Sequence, residues 1–168
     1  IANNPSLMVI SDEIYEHINF VGHHTSLAQF PSVYDQVVTV NGVSKAFAMT
    51  GWRLGYIGAP KWIADACTKI QGQFTSGASS ISQRAALTAV QADPSVTFEM
   101  REAFRNRREL VLNKLNEIPG VVCNIPEGAF YVFPDISAFF GMSYGKYTIN
   151  NADDLSLYLL SESNVALV

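Results

Sequence analysis

The sequence has little cysteine and an acidic balance of charge. Its two cysteines, Cys67 and Cys123, lie far apart in 168 residues and show neither CxxC spacing nor neighbouring metal-ligand residues. This pattern predicts two reduced, packed thiols and excludes a disulfide framework or a zinc site. The 11 Lys and Arg residues against 15 Asp and Glu residues give a formal net charge of −4. Because phosphate binding relies on clustered basic residues, a nucleic-acid partner is not expected.

Long apolar runs are also missing. No stretch approaches the roughly 20 apolar residues of a membrane helix, so no membrane partner is expected. The opening residues, IANNPSLMVIS, lack the basic and apolar regions of a secretory signal, and a cytoplasmic location is the default prediction. The chain opens without Met, and both ends resemble interior strands. This favours a piece of a longer protein.

The order of apolar segments predicts an α/β protein. Continuous apolar runs at residues 7–11 and 37–40 predict buried strands. The roughly 25 residues between these runs are enough for a parallel crossover. A third strand is predicted over residues 53–59. Only about ten residues separate it from the second strand, so it should run antiparallel and make the sheet mixed.

Helical periodicity continues the pattern toward the end of the chain. The helices are predicted over residues 62–74, 81–92, 96–117 and 153–163. Up to about residue 93 the pattern is α/β, and a smaller α+β portion follows the long third helix. The closing VALV resembles the start of another strand.

Two residues at strand ends are candidates for a binding site. Asp12 follows the first strand and Lys45 the second, and ligands of open α/β sheets collect outside the carboxyl ends of strands. Taken alone, such an Asp is more often a turn former and such a Lys more often a surface residue. The small and apolar residues around Lys45 weaken the second interpretation, because they favour a neutral amine that can form a Schiff base. Arg53 adds a planar cation suited to a phosphate.

These side chains are the parts that a pyridoxal phosphate (PLP) site needs. The run GVSKAFAMTGWRLG, residues 42–55, resembles the PLP attachment signature of the class I/II aminotransferases. SDEIYEH, residues 11–17, resembles the upstream strand of that family, and PEGAFYVFPDI, residues 126–136, resembles its small-domain strand. The resemblance covers essentially the whole chain, and the bacterial aspartate aminotransferases are the most similar branch.

The resemblance implies a role for each matching residue. Lys45 would form the Schiff base with PLP and then move the proton between the substrate and the cofactor. Asp12 would keep the ring nitrogen protonated, and Tyr15 would hydrogen-bond the ring oxygen. Arg53 would bind the phosphate.

One position departs from the pattern of the family. Relatives often have a serine three residues before the lysine as a further phosphate ligand, but this chain has Gly42 there. Ser44 is the candidate substitute for that ligand.

The family also implies the organisation of the protein. The fold would be fold type I, with residues 1–93 forming part of the large PLP-binding domain and residues 94–168 an incomplete small C-terminal domain. A long helix at about 96–117 would join them. Other site residues of the family would lie before residue 1 and after residue 168, so the chain alone is expected to be inactive. Thr75 and Ser76 fall where relatives approach the partner subunit's cofactor, which implies a homodimer.

The function implied is transamination of an amino acid, aspartate or a similar one, with a 2-oxo acid. Two alternatives remain: a non-catalytic effector-binding domain of a transcription regulator, and a PLP lyase on the same fold. No metal site is predicted, because His17, His23 and His24 lack partners at ligand spacing.

Overall fold

The computed structural model describes residues 1–167, and its elements follow the α/β order of the sequence. Within that range a three-stranded sheet is followed by helices and a two-stranded ribbon. The strands are β1 (Val9–Asp12), β2 (Val37–Gly42), β3 (Gly55–Gly58), β4 (Ser143–Tyr144) and β5 (Tyr147–Thr148). The helices are α1 (Lys61–Phe74), α2 (Ser80–Gln91), α3 (Phe98–Asn116) and α4 (Ala152–Ser163).

The three-stranded sheet is mixed, as predicted. β2 lies in the centre, parallel to β1 and antiparallel to β3. Asp12 pairs with Val40, and Gly42 pairs with Gly55. β1 begins two residues later than predicted, because the N–H of Leu7 donates to the carbonyl of Asn4 and closes a turn instead of extending the strand.

The core beside this sheet is built on β2 and on the segments at its ends. Val37 and Val38 of β2 are buried, and their β-branched side chains suit a strand covered by other elements. Ile18 and Val43 are the largest fully buried side chains, at 1% and 0% exposure. Each such side chain contributes about 1.5–3 kcal/mol by leaving water. The core therefore anchors the residues that follow β1 and β2.

The helices begin and end at identifiable residues. Pro60 stands at the N-cap of α1, a position that its fixed backbone suits. The third helix begins at residue 98 and not at 96, because residues 94–97 form a 3₁₀ turn, which Asp93 caps by accepting from the N–H of Ser95. Asn151 caps α4 by accepting from the N–H of Asp154 at 2.9 Å, and α4 ends at Asn164 in the left-handed conformation.

The chain forms two compact units. The first comprises residues 1–104 together with 127–129, and the second comprises residues 105–126 and those from 130 onward. Residues 127–129 belong to the first unit because the N–H of Phe20 donates to Glu127 and the N–H of Ala129 donates to Ile18, both at 2.8 Å. The division of the chain into a large and a small domain at residue 93 stays a prediction.

The strand predicted over residues 126–136 does not form. This stretch makes only isolated bridges within the described residues, between Asn19 and Gly128 and between Val122 and Asp135. Ala129 has a φ of 58°, and a left-handed residue interrupts an extended segment. The strand predicted at the end of the chain is likewise absent from residues 165–167, and Val168 lies outside the described residues.

The prediction for the two thiols is correct only in part. Both cysteines are free, but Cys67 is exposed and Cys123 is half-buried. Cys67 lies on α1, whose residues all remain at least partly exposed, so packing does not cover it. None of the helices within residues 1–167 is long and apolar enough to cross a membrane.

Candidate functional site

The order of strands in the sheet brings the predicted site residues to one edge. β1 and β2 are parallel, so Asp12 at the end of β1 lies beside the end of β2, from which the chain enters the loop that carries Lys45. β3 runs antiparallel and therefore begins at this same edge. Arg53 stands two residues before β3. Three separate segments thus meet where an open α/β sheet ordinarily binds its ligand.

A cleft of about 520 Å³ lies at this edge of the sheet. All five predicted residues line it: Asp12, Tyr15, Ser44, Lys45 and Arg53. Tyr15, Ser44 and Lys45 are half-buried, whereas Asp12 and Arg53 are exposed. The cleft therefore combines a carboxylate, a phenol, a hydroxyl, an amine and a guanidinium group.

Lys45 is held by a compact loop. Val43 and Ala46, on either side of it, are buried at 0% and 4% exposure. The carbonyl of Val43 accepts from the N–H of Phe47 at 3.3 Å and of Met49 at 3.4 Å. The Nζ atom of Lys45 lies 5.9 Å from the ring centroid of Tyr15, which is within cation–π distance. The loop therefore places the amine beside the phenol.

Arg53 is fixed to the same loop through Thr50. Its Nη1 atom donates to the carbonyl of Thr50 at 2.8 Å, and the hydroxyl of Thr50 donates to the carbonyl of Ser44 at 3.1 Å. Arg53 has a φ of 52°, and Ala48 in the middle of the loop has a φ of 53°. A left-handed residue with a side chain costs about 1–2 kcal/mol. Such strain is typical of functional loops.

The structure leaves little room for a side chain at position 42, where the resemblance predicts a serine. A Cβ atom at this position would lie 3.0 Å from the carbonyl oxygen of Leu54 and 3.1 Å from the Cα of Gly55. Gly42 and Gly55 are paired across β2 and β3, so the two strands approach closely where both lack side chains. The backbone at position 42 thus leaves little room for a serine.

Asp12 forms a local turn at the end of β1. Its Oδ1 atom accepts from the N–H of Ile14 at 3.2 Å, the Asx-type contact expected of an acidic turn former. The same carboxylate lines the cleft. The turn interpretation and the binding-site interpretation of Asp12 are therefore compatible, because one oxygen serves the turn and the side chain still borders the cavity.

Glu13, beside Asp12, is buried in a polar network that the sequence analysis missed. It is 5% exposed and accepts from Ser26 at 2.9 Å and from Ser11 at 3.0 Å, and the Nε2 atom of His24 lies 2.9 Å from it. Burial raises the pKa of Glu13, but these hydrogen bonds and the charge of His24 outweigh burial and hold its pKa below the ordinary value. Its N–H also donates to Val40 at 2.8 Å. Glu13 therefore anchors the turn that presents Asp12.

Two other lining residues were also missed. Thr50 stands inside the quoted signature and Asn41 directly before it, but their residue types alone suggest only a turn and a strand end. Their hydrogen bonds to Glu16, Ser44 and Arg53 join parts of the chain that are distant in sequence or separated by a loop. No local pattern encodes such contacts, so the only signal was the position of Thr50 within the signature and of Asn41 next to it.

The histidines do not assemble a metal centre in the described part of the chain. His24 contacts Glu13, and the Nε2 atom of His17 lies 3.5 Å from Glu16. Within residues 1–167 no three side chains of the His, Cys, Asp and Glu types come together as metal ligands. His17 and His24 are partners of carboxylates instead.

Comparison with known proteins gives this arrangement a family. The family model described as aminotransferase class I and II matches residues 1–168. A bifunctional aspartate aminotransferase and glutamate/aspartate-prephenate aminotransferase of Petunia hybrida is 51% identical over 100% of this chain. An aspartate aminotransferase of Pinus pinaster is 46% identical, also over 100% of this chain. The chain spans only 36% and 35% of the lengths of these two proteins.

Solved structures agree with this result. The crystal structure of the aspartate aminotransferase from Rhizobium meliloti matches 99% of this chain with a TM-score of 0.92 and 40% identity, and 42% of that protein is covered. The aspartate aminotransferase of Thermotoga maritima matches 99% of the chain with a TM-score of 0.79 and 34% identity. The predicted fold class is confirmed by these matches. The chain therefore belongs to the class I and II aminotransferase family.

Proposed function

We propose that the full-length protein containing this chain is a PLP-dependent aminotransferase. It would transfer the amino group between an amino acid, with aspartate as the first candidate, and a 2-oxo acid. The relatives named above are aspartate aminotransferases. The observation that carries the proposal is that Asp12, Tyr15, Lys45 and Arg53, from three segments of the chain, line one cleft.

The residues of the cleft fit PLP by their chemistry. PLP supplies an aldehyde that condenses with amines and a protonated ring that accepts an electron pair. The amine of Lys45 is the partner for the aldehyde, and a guanidinium group such as that of Arg53 can hold a phosphate with two parallel hydrogen bonds. The glycines at positions 42 and 55, which both line the cleft, let β2 and β3 approach closely where a Cβ atom would meet backbone. Amine, phosphate anchor and carboxylate are all present.

Each side chain then has a defined task. Lys45 would accept the proton from the α-carbon of the substrate and deliver it to the cofactor, a step that needs an amine held close to the reacting atoms. Asp12 would hold a proton on the ring nitrogen of the cofactor, because a carboxylate stabilises an adjacent cation. The hydroxyl of Tyr15 would donate to the ring oxygen, and Arg53 with Ser44 would bind the phosphate.

The assembly and the location of the protein belong to the same proposal. We expect a homodimer in the cytoplasm, with the amino acid and the 2-oxo acid as its small-molecule partners. Because positioning of the reacting groups is a large part of catalysis, the 168-residue chain alone is expected to be inactive and to bind PLP weakly.

The test uses the full-length protein and its Lys45→Ala variant. Each is mixed with PLP, reduced with borohydride to fix any lysine-bound cofactor, and mapped by mass spectrometry. The wild type should carry the cofactor on Lys45, and the variant should carry none. Labelling at another lysine, or equal labelling in Lys45→Ala, would refute the assignment.

Substrate additions separate the alternatives. When amino acids are added one at a time to the PLP-loaded protein, an aminotransferase should release the matching 2-oxo acid and leave the cofactor in its amine form. Release of other products from the amino acid would favour a lyase. A loaded protein that no amino acid converts would favour an effector-binding domain.

A further inference from the structure

The two segments that carry the proposed cofactor residues are joined by one side chain. The Nδ2 atom of Asn41 donates to the Oε1 atom of Glu16 at 2.8 Å. Glu16 belongs to the segment with Asp12 and Tyr15, and Asn41 stands four residues before Lys45. This contact spans 25 residues of sequence, so it ties the two segments together beyond the last pair of the β1–β2 ladder, Asp12 and Val40.

Both halves of the Asn41 amide are engaged. While Nδ2 donates to Glu16, Oδ1 accepts from the N–H of Gly42 at 2.7 Å. Asn41 is 8% exposed, and a buried polar group that loses its hydrogen-bond partner destabilises the fold. Because one acceptor and one donor are used in fixed directions, the amide cannot turn over without losing both bonds. The side chain is therefore locked in one orientation.

Glu16 is held as well. Its Oε1 atom lies 3.5 Å from the Nε2 atom of His17. Burial, followed by the charge of Glu16, raises the pKa of Tyr56 above its ordinary value, and Tyr56 is the residue paired with Asn41 across β2 and β3. The Glu16 carboxylate therefore faces the end of the sheet where the cleft lies.

We propose that Asn41 and Glu16 are positioning residues that fix the spacing between the Asp12–Tyr15 turn and the Lys45 loop. The proposal rests on the proposed function, since it concerns how tightly and in which geometry the cofactor is held. Neither residue has to touch the cofactor. Asn41 acts on the position of the Lys45 loop through its bond to Gly42. Glu16 acts on the position of the Asp12–Tyr15 turn through the backbone of Tyr15.

The test exchanges the hydrogen-bond donor and acceptor between positions 41 and 16. Asn41→Asp keeps the acceptor for Gly42 but replaces the donor with an oxygen that faces the Glu16 carboxylate. Glu16→Gln keeps an acceptor for Asn41. In the double variant, Gln at position 16 can donate to Asp at position 41, which restores the contact in the reverse direction. Glu127→Gln removes an equal charge from an exposed neighbour of Glu16 and serves as the control.

The measurement is the Kd for PLP, with the pH dependence of its absorbance as a second readout. Asn41→Asp should raise the Kd roughly tenfold, as the loss of one buried hydrogen bond implies, and should shift the pH at which the absorbance changes. The double variant should return to within about threefold of the wild type. Glu127→Gln should match the wild type.

Several results would overturn the proposal. One is an Asn41→Asp variant that binds PLP with the Kd of the wild type. Another is an equal rise of the Kd in Asn41→Asp and in the double variant, when both variants are as stable as the wild type without PLP. If Asn41→Asp fails to fold, Glu16→Ala removes the acceptor at a half-exposed position and must still weaken PLP binding. Absence of binding by the wild type would instead refute the proposed function.

Discussion

Replacing Gly42 by alanine tests the close approach of β2 and β3 at the edge of the cleft. The new Cβ would lie 3.0 Å from the carbonyl oxygen of Leu54, 3.1 Å from the Cα of Gly55 and 3.3 Å from the Cδ1 of Ile14. Relaxed contacts between such atoms are about 3.5–4.0 Å, so backbone on two segments must move by several tenths of an ångström. Overpacking of this kind costs about 1–3 kcal/mol.

Gly58→Ala is the matched control on the neighbouring strand. Gly58 also lies in β3, but a Cβ there meets no atom within 4 Å. Removing the flexibility of this glycine from the unfolded chain should stabilise the protein by about 0.4–1 kcal/mol. The two Gly→Ala variants should therefore change the free energy of unfolding in opposite directions.

Urea denaturation without cofactor measures both variants. With an unchanged m-value, the midpoint should fall for Gly42→Ala and rise for Gly58→Ala. The same crowding predicts that Gly42→Ser gains no affinity for PLP, although it restores the residue that relatives often have. An unchanged midpoint for Gly42→Ala, or tighter PLP binding by Gly42→Ser, would refute the steric argument.

Two further changes test the loop and the buried carboxylate. Because the folded-state pKa of Glu13 is depressed below 4.5, its stabilisation is complete above that pH and is lost as the pH falls through the folded value. Glu13→Gln should lower the free energy of unfolding by about 1–3 kcal/mol near neutral pH. In urea titrations at several pH values, the free energy of unfolding of this variant should fall less steeply below about pH 5 than that of the wild type. The same pH dependence in both proteins would contradict this. Ala48→Gly should raise the stability by about 0.5–1 kcal/mol, because glycine tolerates the positive φ. The measurement is the thermal unfolding midpoint of Ala48→Gly. Ala46→Gly, which should be less stable than the wild type, is the comparison.

The sequence was sufficient to predict the elements whose signals are local. Strands at the β1 and β2 positions, the antiparallel third strand and the four helices were predicted to within a few residues, because apolar runs, chain length and caps carry that information. The predicted burial is correct for β2 but wrong for β1, where Ile10 is 74% exposed. The predicted set of Asp12, Tyr15, Ser44, Lys45 and Arg53 lines one cleft. The roles of these residues stay predictions.

The failures lie where pairing decides the structure. Residues 126–136 have the alternating apolar pattern of a strand, but a strand needs a partner along its length, and here bridges at Gly128 and Asp135 engage different segments. Likewise Glu13 and Asn41 are ordinary polar residues in sequence. Only the folded chain brings His24 and Ser26 to the first and Glu16 to the second.

The short connection between β2 and β3 accounts for both the topology and the site. A parallel return needs a dozen or more residues and usually a helix that crosses the sheet, whereas the link between Gly42 and Gly55 contains no α-helix, and β3 returns antiparallel and begins where β2 ends. Everything in that link must then stay at the cleft, including Lys45 near its start and Arg53 near its end. The left-handed conformations of Ala48 and Arg53 are the backbone cost of closing so short a loop. The spacing of the lysine and the arginine in the signature is therefore a geometric requirement of the turn as well as a chemical one.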